Sequence, residues 1–148
     1  MSKLQVPIVS LFCGPGGMDL GFRQEGFRPV LALDDSQAAV VTYNCNDSRE
    51  VASKRDLSEL SGPELVALVR AASPHQPPAC ASHADRSRGV IGGPPCQSFS
   101  PGNRQKTRHD PRGRLGLDFA RLVQALNEEF QSDFFVFENV AGRRTAKP

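Results

Sequence analysis

The chain has 148 residues, enough for about one domain with a single modest core. Its 39% hydrophobic and 23% charged residues are ordinary for a globular protein, and no apolar run approaches the length of a membrane span. A net charge of +2 is too small to imply nucleic acid by itself. The four cysteines, Cys13, Cys45, Cys80 and Cys96, form no CxxC pair and have no histidine at ligand spacing, so no metal site is expected. The N-terminus has no signal-peptide pattern, and the expected compartment is the cytoplasm, where the cysteines stay as thiols.

The first apolar run, 6–12, is long and β-branched enough for a buried strand. It enters a tight glycine turn, after which a helix is expected over 18–25, with Gly26 placed to end it. Residues 29–33 read as a short strand closing on Asp34 and Asp35, and Ser36 is placed to cap a helix over 37–44. A weak strand follows at 51–56. A helix over 61–72 has Ser61 as its cap and Leu65, Leu68 and Val69 on one face. The stretch 73–88 carries Pro74, Pro77 and Pro78 without periodicity and reads as a flexible surface loop. Residues 89–93 form a short apolar strand running into Pro94, Pro95 and Cys96.

Residues 97–114 are polar and basic, with Arg104, Lys106, Arg108, Arg112 and Arg114 against the single acid Asp110, and a mobile loop is expected there. Such a patch suits phosphates, and equally suits a solvated loop. The clearest helix spans 115–130, where Leu115, Phe119, Leu122, Val123, Leu126 and Phe130 recur at helical spacing. A buried strand at 134–137 ends on Glu138. Strands alternating with helices predict an α/β fold, a parallel sheet with right-handed crossovers. Ligands of such sheets bind beyond the carboxyl ends of the strands. Gly14, Gly16, Gly17, Asp34, Asp56, Cys96 and Glu138 all fall there.

The turn Phe12-Cys13-Gly14-Pro15-Gly16-Gly17 allows close backbone approach to a ligand. It is neither GxGxxG nor a P-loop. Asp34 lies about 20 residues past it, where an acid at the end of a second strand meets ribose hydroxyls. It can also serve simply in the cap of the following helix. Together the two features suggest an adenosine-type cofactor.

The segment Gly92-Gly93-Pro94-Pro95-Cys96-Gln97-Ser98-Phe99-Ser100 resembles the catalytic loop of DNA cytosine-5 methyltransferases. Phe137-Glu138-Asn139-Val140 resembles that family's Glu-Asn-Val motif, and residues 11–22 resemble its cofactor motif. Asp56-Leu57 and Arg112-Gly113-Arg114-Leu115 also fit, in the family's order and over nearly the whole chain. The resemblance implies a Rossmann-like S-adenosylmethionine-dependent methyltransferase fold of about five parallel strands with flanking helices. It implies Cys96 as the nucleophile toward cytosine C6, since a thiolate adds readily and can leave again. Glu138 becomes the acid at N3, and Asn139 shapes the site around it. Cofactor contacts fall on Phe12, Gly14, Gly17, Asp34, Asp56, Pro94 and Leu115. The family usually places Glu where Asp34 stands; Asp is one methylene shorter, so either the strand reaches further or Asp35 shares its work. Gln97, Ser98, Arg104 and Arg112 are expected nearest to double-stranded DNA, whose target base must flip out.

The family's later motifs and its target-recognition region have no counterpart in 1–148, which reads as a partial catalytic and cofactor-binding domain with an incomplete sheet. The alternatives are a truncated chain or one subunit of a split restriction-modification enzyme, complete only with its remainder on a second polypeptide, or an inactive remnant that binds only cofactor or DNA. A nucleotide-binding oxidoreductase with a structural cysteine fits the Pro-Pro-Cys-Gln and Glu-Asn-Val pair poorly.

Overall fold

The computed structural model describes residues 5–73, 88–95 and 114–139. Five strands, β1 (Val6–Leu11), β2 (Phe27–Asp34), β3 (Ala52–Lys54), β4 (Gly89–Gly92) and β5 (Phe134–Phe137), form one sheet in the order β3-β2-β1-β4-β5. Every neighbouring pair is parallel. The helices are α1 (Gly17–Gln24), α2 (Gln37–Asn46), α3 (Gly62–Ala72) and α4 (Leu115–Phe130). This is the expected Rossmann-like arrangement. The loops expected over 73–88 and 97–114 lie almost wholly outside the described residues.

Alternation along the strands decides which helix covers which face. Val9 and Leu11 of β1 and Leu31 and Leu33 of β2 pack with Leu65 and Val69 of α3 and Phe119, Leu122 and Leu126 of α4. Ala32 of β2 turns the other way and packs with Val40 and Tyr43 of α2. Ser10 of β1, also on that side, bonds Asp19 of α1. Each fully buried aliphatic side chain contributes about 1.5–3 kcal/mol relative to exposure.

Several boundaries differ from the sequence expectation, each for a local reason. Strand β1 stops at Leu11 because Phe12 takes φ +55°. Strand β2 begins at Phe27, upstream of Pro29; there the register against β1 slips, with Ile8 opposite Pro29 and Val9 opposite Leu31. A proline lacks the ladder N–H and is tolerated at such an irregularity. Helix α2 runs to Asn46, two residues further than expected. Asn44 within it exchanges hydrogen bonds with the backbone of Ala52, docking α2 on β3. The caps follow the sequence: Ser36 accepts from Ala39 N–H, and Ser61 and Glu64 form a reciprocal capping box.

Strand β5 is one edge of the sheet. Phe135 on it is 62% exposed. A groove of about 740 Å³ runs beside it between β5 and α4, lined by Phe119, Val123, Phe134, Phe135 and Phe137 among others. Among the described residues no helix is long and apolar enough to cross a membrane.

Candidate active site

The chain passes from β1 outward to β2 and β3, then returns to the other side of β1 for β4 and β5. Beyond the carboxyl ends of β1 and β4 the crossovers therefore diverge, leaving the crevice in which such sheets bind ligands. The glycine turn stands on one side of it and Gly93, Pro94 and Pro95 on the other.

The turn is built by backbone hydrogen bonds. Cys13 N–H donates to Leu33 O at 3.0 Å, extending the β1–β2 ladder, and Gly16 N–H closes back on Cys13 O at 3.1 Å. Gly14 and Gly16 have φ of +53° and +94°, a region that side chains rarely tolerate. A Cβ on Gly14 or on Gly17 would meet nothing within 4 Å, so the turn presents bare backbone to open space.

Asp34 is buried at 9% exposure. Its Oδ2 accepts from Gly14 N–H at 2.8 Å and its Oδ1 from Ser36 N–H at 3.0 Å. One carboxylate thus ties the glycine turn to the start of α2. Asp35 beside it is exposed. Asp56, after β3, is exposed too and accepts from Ser58 N–H and Oγ; these bonds hold its carboxyl below the usual carboxylate range. The turn that follows it is pinned by Arg121 of α4, which donates to Leu60 O at 2.7 Å and Leu57 O at 3.2 Å. Leu115 is half-buried in the first turn of α4.

Across the crevice, the ends of β4 and β5 are stitched together. Glu138 N–H donates to Gly92 O at 2.9 Å, and Asn139 Nδ2 donates to Pro94 O at 3.1 Å. A Cβ on Gly93 would stand 3.1 Å from Glu138 Oε2. Glu138 is exposed and lies beside the strand end that leads into Cys96. Cys96, Gln97, Ser98, Arg104 and Arg112 themselves lie outside the described residues.

Cys13 is a buried thiol in the glycine turn. Its pKa is pushed up to about 12, chiefly by burial and then by the charges of Asp34 and Asp19. It stays protonated at neutral pH and is unfit as a nucleophile.

Sequence reasoning did not single out Asp19, Tyr43 or Arg121. The first two form a buried hydrogen-bonded pair linking α1 to α2. The available signal was weak: an acid inside an otherwise apolar helix start, and the single tyrosine of the chain.

The sequence profile of C-5 cytosine-specific DNA methylases matches residues 6–147. The Type II methyltransferase M.FnuDI of Fusobacterium nucleatum is 33% identical over 135 residues, covering 91% of this chain and 32% of that protein. M.HgiGI of Herpetosiphon aurantiacus, also a Type II methyltransferase, is 36% identical over 141 residues, covering 94% of each chain. A solved structure described as a DNA modification methyltransferase encoded within an E. coli prophage superposes with a TM-score of 0.65 at 31% identity, over 93% of this chain and 33% of that one. The chain spans about a third of the length of M.FnuDI and less than a third of M.DdeI of Desulfomicrobium norvegicum. With the match extending over nearly its whole length, the chain belongs to the C-5 cytosine-specific DNA methylase family.

Proposed function

We propose that this chain carries the cofactor site and the catalytic residues of a DNA cytosine-5 methyltransferase, acting on double-stranded DNA with S-adenosylmethionine. The observation that carries the proposal is the stitched end of β4 and β5: Asn139 bonded to Pro94 and Glu138 beside Gly93, immediately before Cys96 and across the crevice from an open glycine turn.

The donor set suits this cofactor. Gly14 and Gly17 offer backbone to open space, while Asp35 and Asp56 offer exposed carboxylates to hydroxyl and amino groups. Carboxylates at two strand ends suit the ribose hydroxyls and adenine amino group of an adenosine-type cofactor. Phe12, Pro94 and Leu115 supply apolar walls. Asp34 holds the turn and retains lone pairs for a ribose hydroxyl. When bound, S-adenosylmethionine supplies an electrophilic methyl group, and S-adenosylhomocysteine is its product.

The chain's own residues would prepare the base. Cys96 as thiolate forms a bond to C6 of a flipped cytosine, while Glu138 donates a proton to N3 to absorb the electron pair. C5 thereby becomes nucleophilic. After methylation a base such as water takes the C5 proton, the Cys96 sulfur departs as thiolate, and N3 returns its proton to Glu138, restoring the ring and the acid. Asn139 keeps Pro94, and with it the approach to Cys96, in register with Glu138. Gln97, Ser98, Arg104 and Arg112 would meet the DNA, the arginines through phosphates.

The remaining functions of the longer relatives, including choice of DNA sequence, would come from a further part of the enzyme such as a second polypeptide. Action on DNA accords with the cytoplasmic compartment expected from the sequence, and the Type II relatives accord with a restriction-modification role.

The test is methyl transfer to duplex DNA with S-adenosylhomocysteine titration alongside. Cys96→Ala is expected to abolish transfer, by the chain alone or with a complementing polypeptide, and to leave cofactor affinity within about two-fold. Equal loss of cofactor binding would remove Cys96 from its role. Silence of the unsubstituted protein with every complement, despite cofactor binding, would favour an inactive remnant.

A further inference from the structure

Asp19 takes no part in the chemistry above, yet it is 0% exposed in the first turn of α1. A buried carboxylate is costly unless its oxygens are satisfied. Here each oxygen has its own donor: Ser10 Oγ of β1 reaches Oδ2 at 2.8 Å, and Tyr43 OH of α2 reaches Oδ1 at 2.8 Å. The two bonds lead to different places. Ser10 ties the carboxylate to the sheet. Tyr43 leads to the glycine turn, because its ring lies against Gly16: a Cβ there would stand 2.8 Å from Cδ2 and 3.1 Å from Cε2. Arg23 of α1 also faces this ring, with its guanidinium 5.9 Å from the centroid, and it pairs with Asp47 at 2.8 Å.

We propose that Asp19 is a positioning residue for the cofactor turn: by holding the Tyr43 hydroxyl it keeps the Tyr43 ring against Gly16, and so fixes the 13–17 turn in the shape that presents Gly14 and Gly17 to the ligand. The functional part of this inference rests on the cofactor reading above; the mechanical part does not. The positive φ of Gly16 and the closure of its N–H on Cys13 O need support from beneath, and Tyr43 is the side chain nearest to it. Helix α2, although remote in sequence, thereby takes part in shaping the first turn.

Amide hydrogen exchange at Gly14 and Gly16 of the unliganded chain tests this, with S-adenosylhomocysteine titrated in parallel. Tyr43→Phe keeps the ring and removes the hydroxyl. Ser10→Ala removes the other hydrogen bond to the same carboxylate and leaves Tyr43 untouched. Rates are taken relative to core amides of β1, which removes any global loss of stability. Tyr43→Phe and Asp19→Ala, which both remove the bond to the Tyr43 hydroxyl, are expected to speed exchange about ten-fold at both glycines and to weaken binding comparably, whereas Ser10→Ala leaves both within about two-fold. Equal effects of Tyr43→Phe and Ser10→Ala, or none from Tyr43→Phe, would reduce Asp19 to a satisfied core group and overturn the inference. Exchange is read without ligand. If the unsubstituted chain fails to bind S-adenosylhomocysteine, the cofactor reading falls while the exchange rates still decide the role of Asp19.

Discussion

Replacing Asp34 by alanine is expected to cost stability as well as cofactor affinity, because its carboxylate holds two backbone donors. Gly14 N–H lies 2.8 Å from one oxygen and Ser36 N–H 3.0 Å from the other. An unsatisfied buried donor costs about 1–3 kcal/mol. Ser36 stands at the exposed start of α2, where water can replace the lost acceptor, so its share is small. Gly14 is half-buried, and Asp34 is the acceptor of its N–H among the described residues. The expected loss for Asp34→Ala is therefore about 1–3 kcal/mol, and Asp34→Asn, whose remaining oxygen can still accept from Gly14 N–H, should lose less than half of that. Urea denaturation measures this directly, provided the slope is unchanged. Asp35→Ala is the contrast: its exposed side chain should cost less than about 0.5 kcal/mol while still weakening S-adenosylhomocysteine binding. If Asp34→Ala proved as mild as Asp35→Ala, the carboxylate would not be holding the turn.

Gly92→Ala should destabilise the protein by about 1–3 kcal/mol in the same assay, as overpacking usually does. Its Cβ would stand 2.4 Å from Leu11 O and 2.6 Å from Phe119 Cε2, and the former is strand backbone that cannot move aside alone; an unchanged denaturation midpoint would contradict this packing. Burial raises the pKa of Asp19 above its ordinary value, against the opposing pull of its Tyr43 and Ser10 hydrogen bonds and of Arg23. The native state then holds this proton where the unfolded chain has lost it, so the Asp19 contribution falls as pH rises from about 4 through the raised pKa. The stability of Asp19→Asn relative to the unsubstituted protein should accordingly improve across that interval, and a constant difference would refute the shift. Alkylation with iodoacetamide near pH 8 should label Cys45, which is exposed, and spare Cys13 until the protein is unfolded. Equal labelling of the two in native protein would contradict the burial of Cys13.

Much of the fold was legible because the signals were local. Apolar runs marked β1, β4 and β5, helical spacing marked α4 over its observed range, and Ser36 and Ser61 cap the helices they were expected to cap. The boundaries that moved did so where a backbone irregularity intervened, at Phe12 and at Pro29. The acids and glycines at strand ends were also legible, since in a parallel sheet the position of a residue just after a strand assigns it to the carboxyl edge.

The sequence by itself determined the order of strands and helices, the glycine turn, the acids that follow β2 and β3, and the motifs that relate the chain to its family. Those depend on neighbours along the chain, whose spacing is written in the residues. Only the tertiary structure decided that Asp34 spends both oxygens on Gly14 and Ser36, that Asn139 is tied to Pro94, and that Asp19 reaches Gly16 through Tyr43. Each of those contacts joins residues brought together by the crossovers of the sheet. A carboxylate aimed at backbone and one aimed at a ligand look alike in sequence; the donors that packing sets before it make the difference.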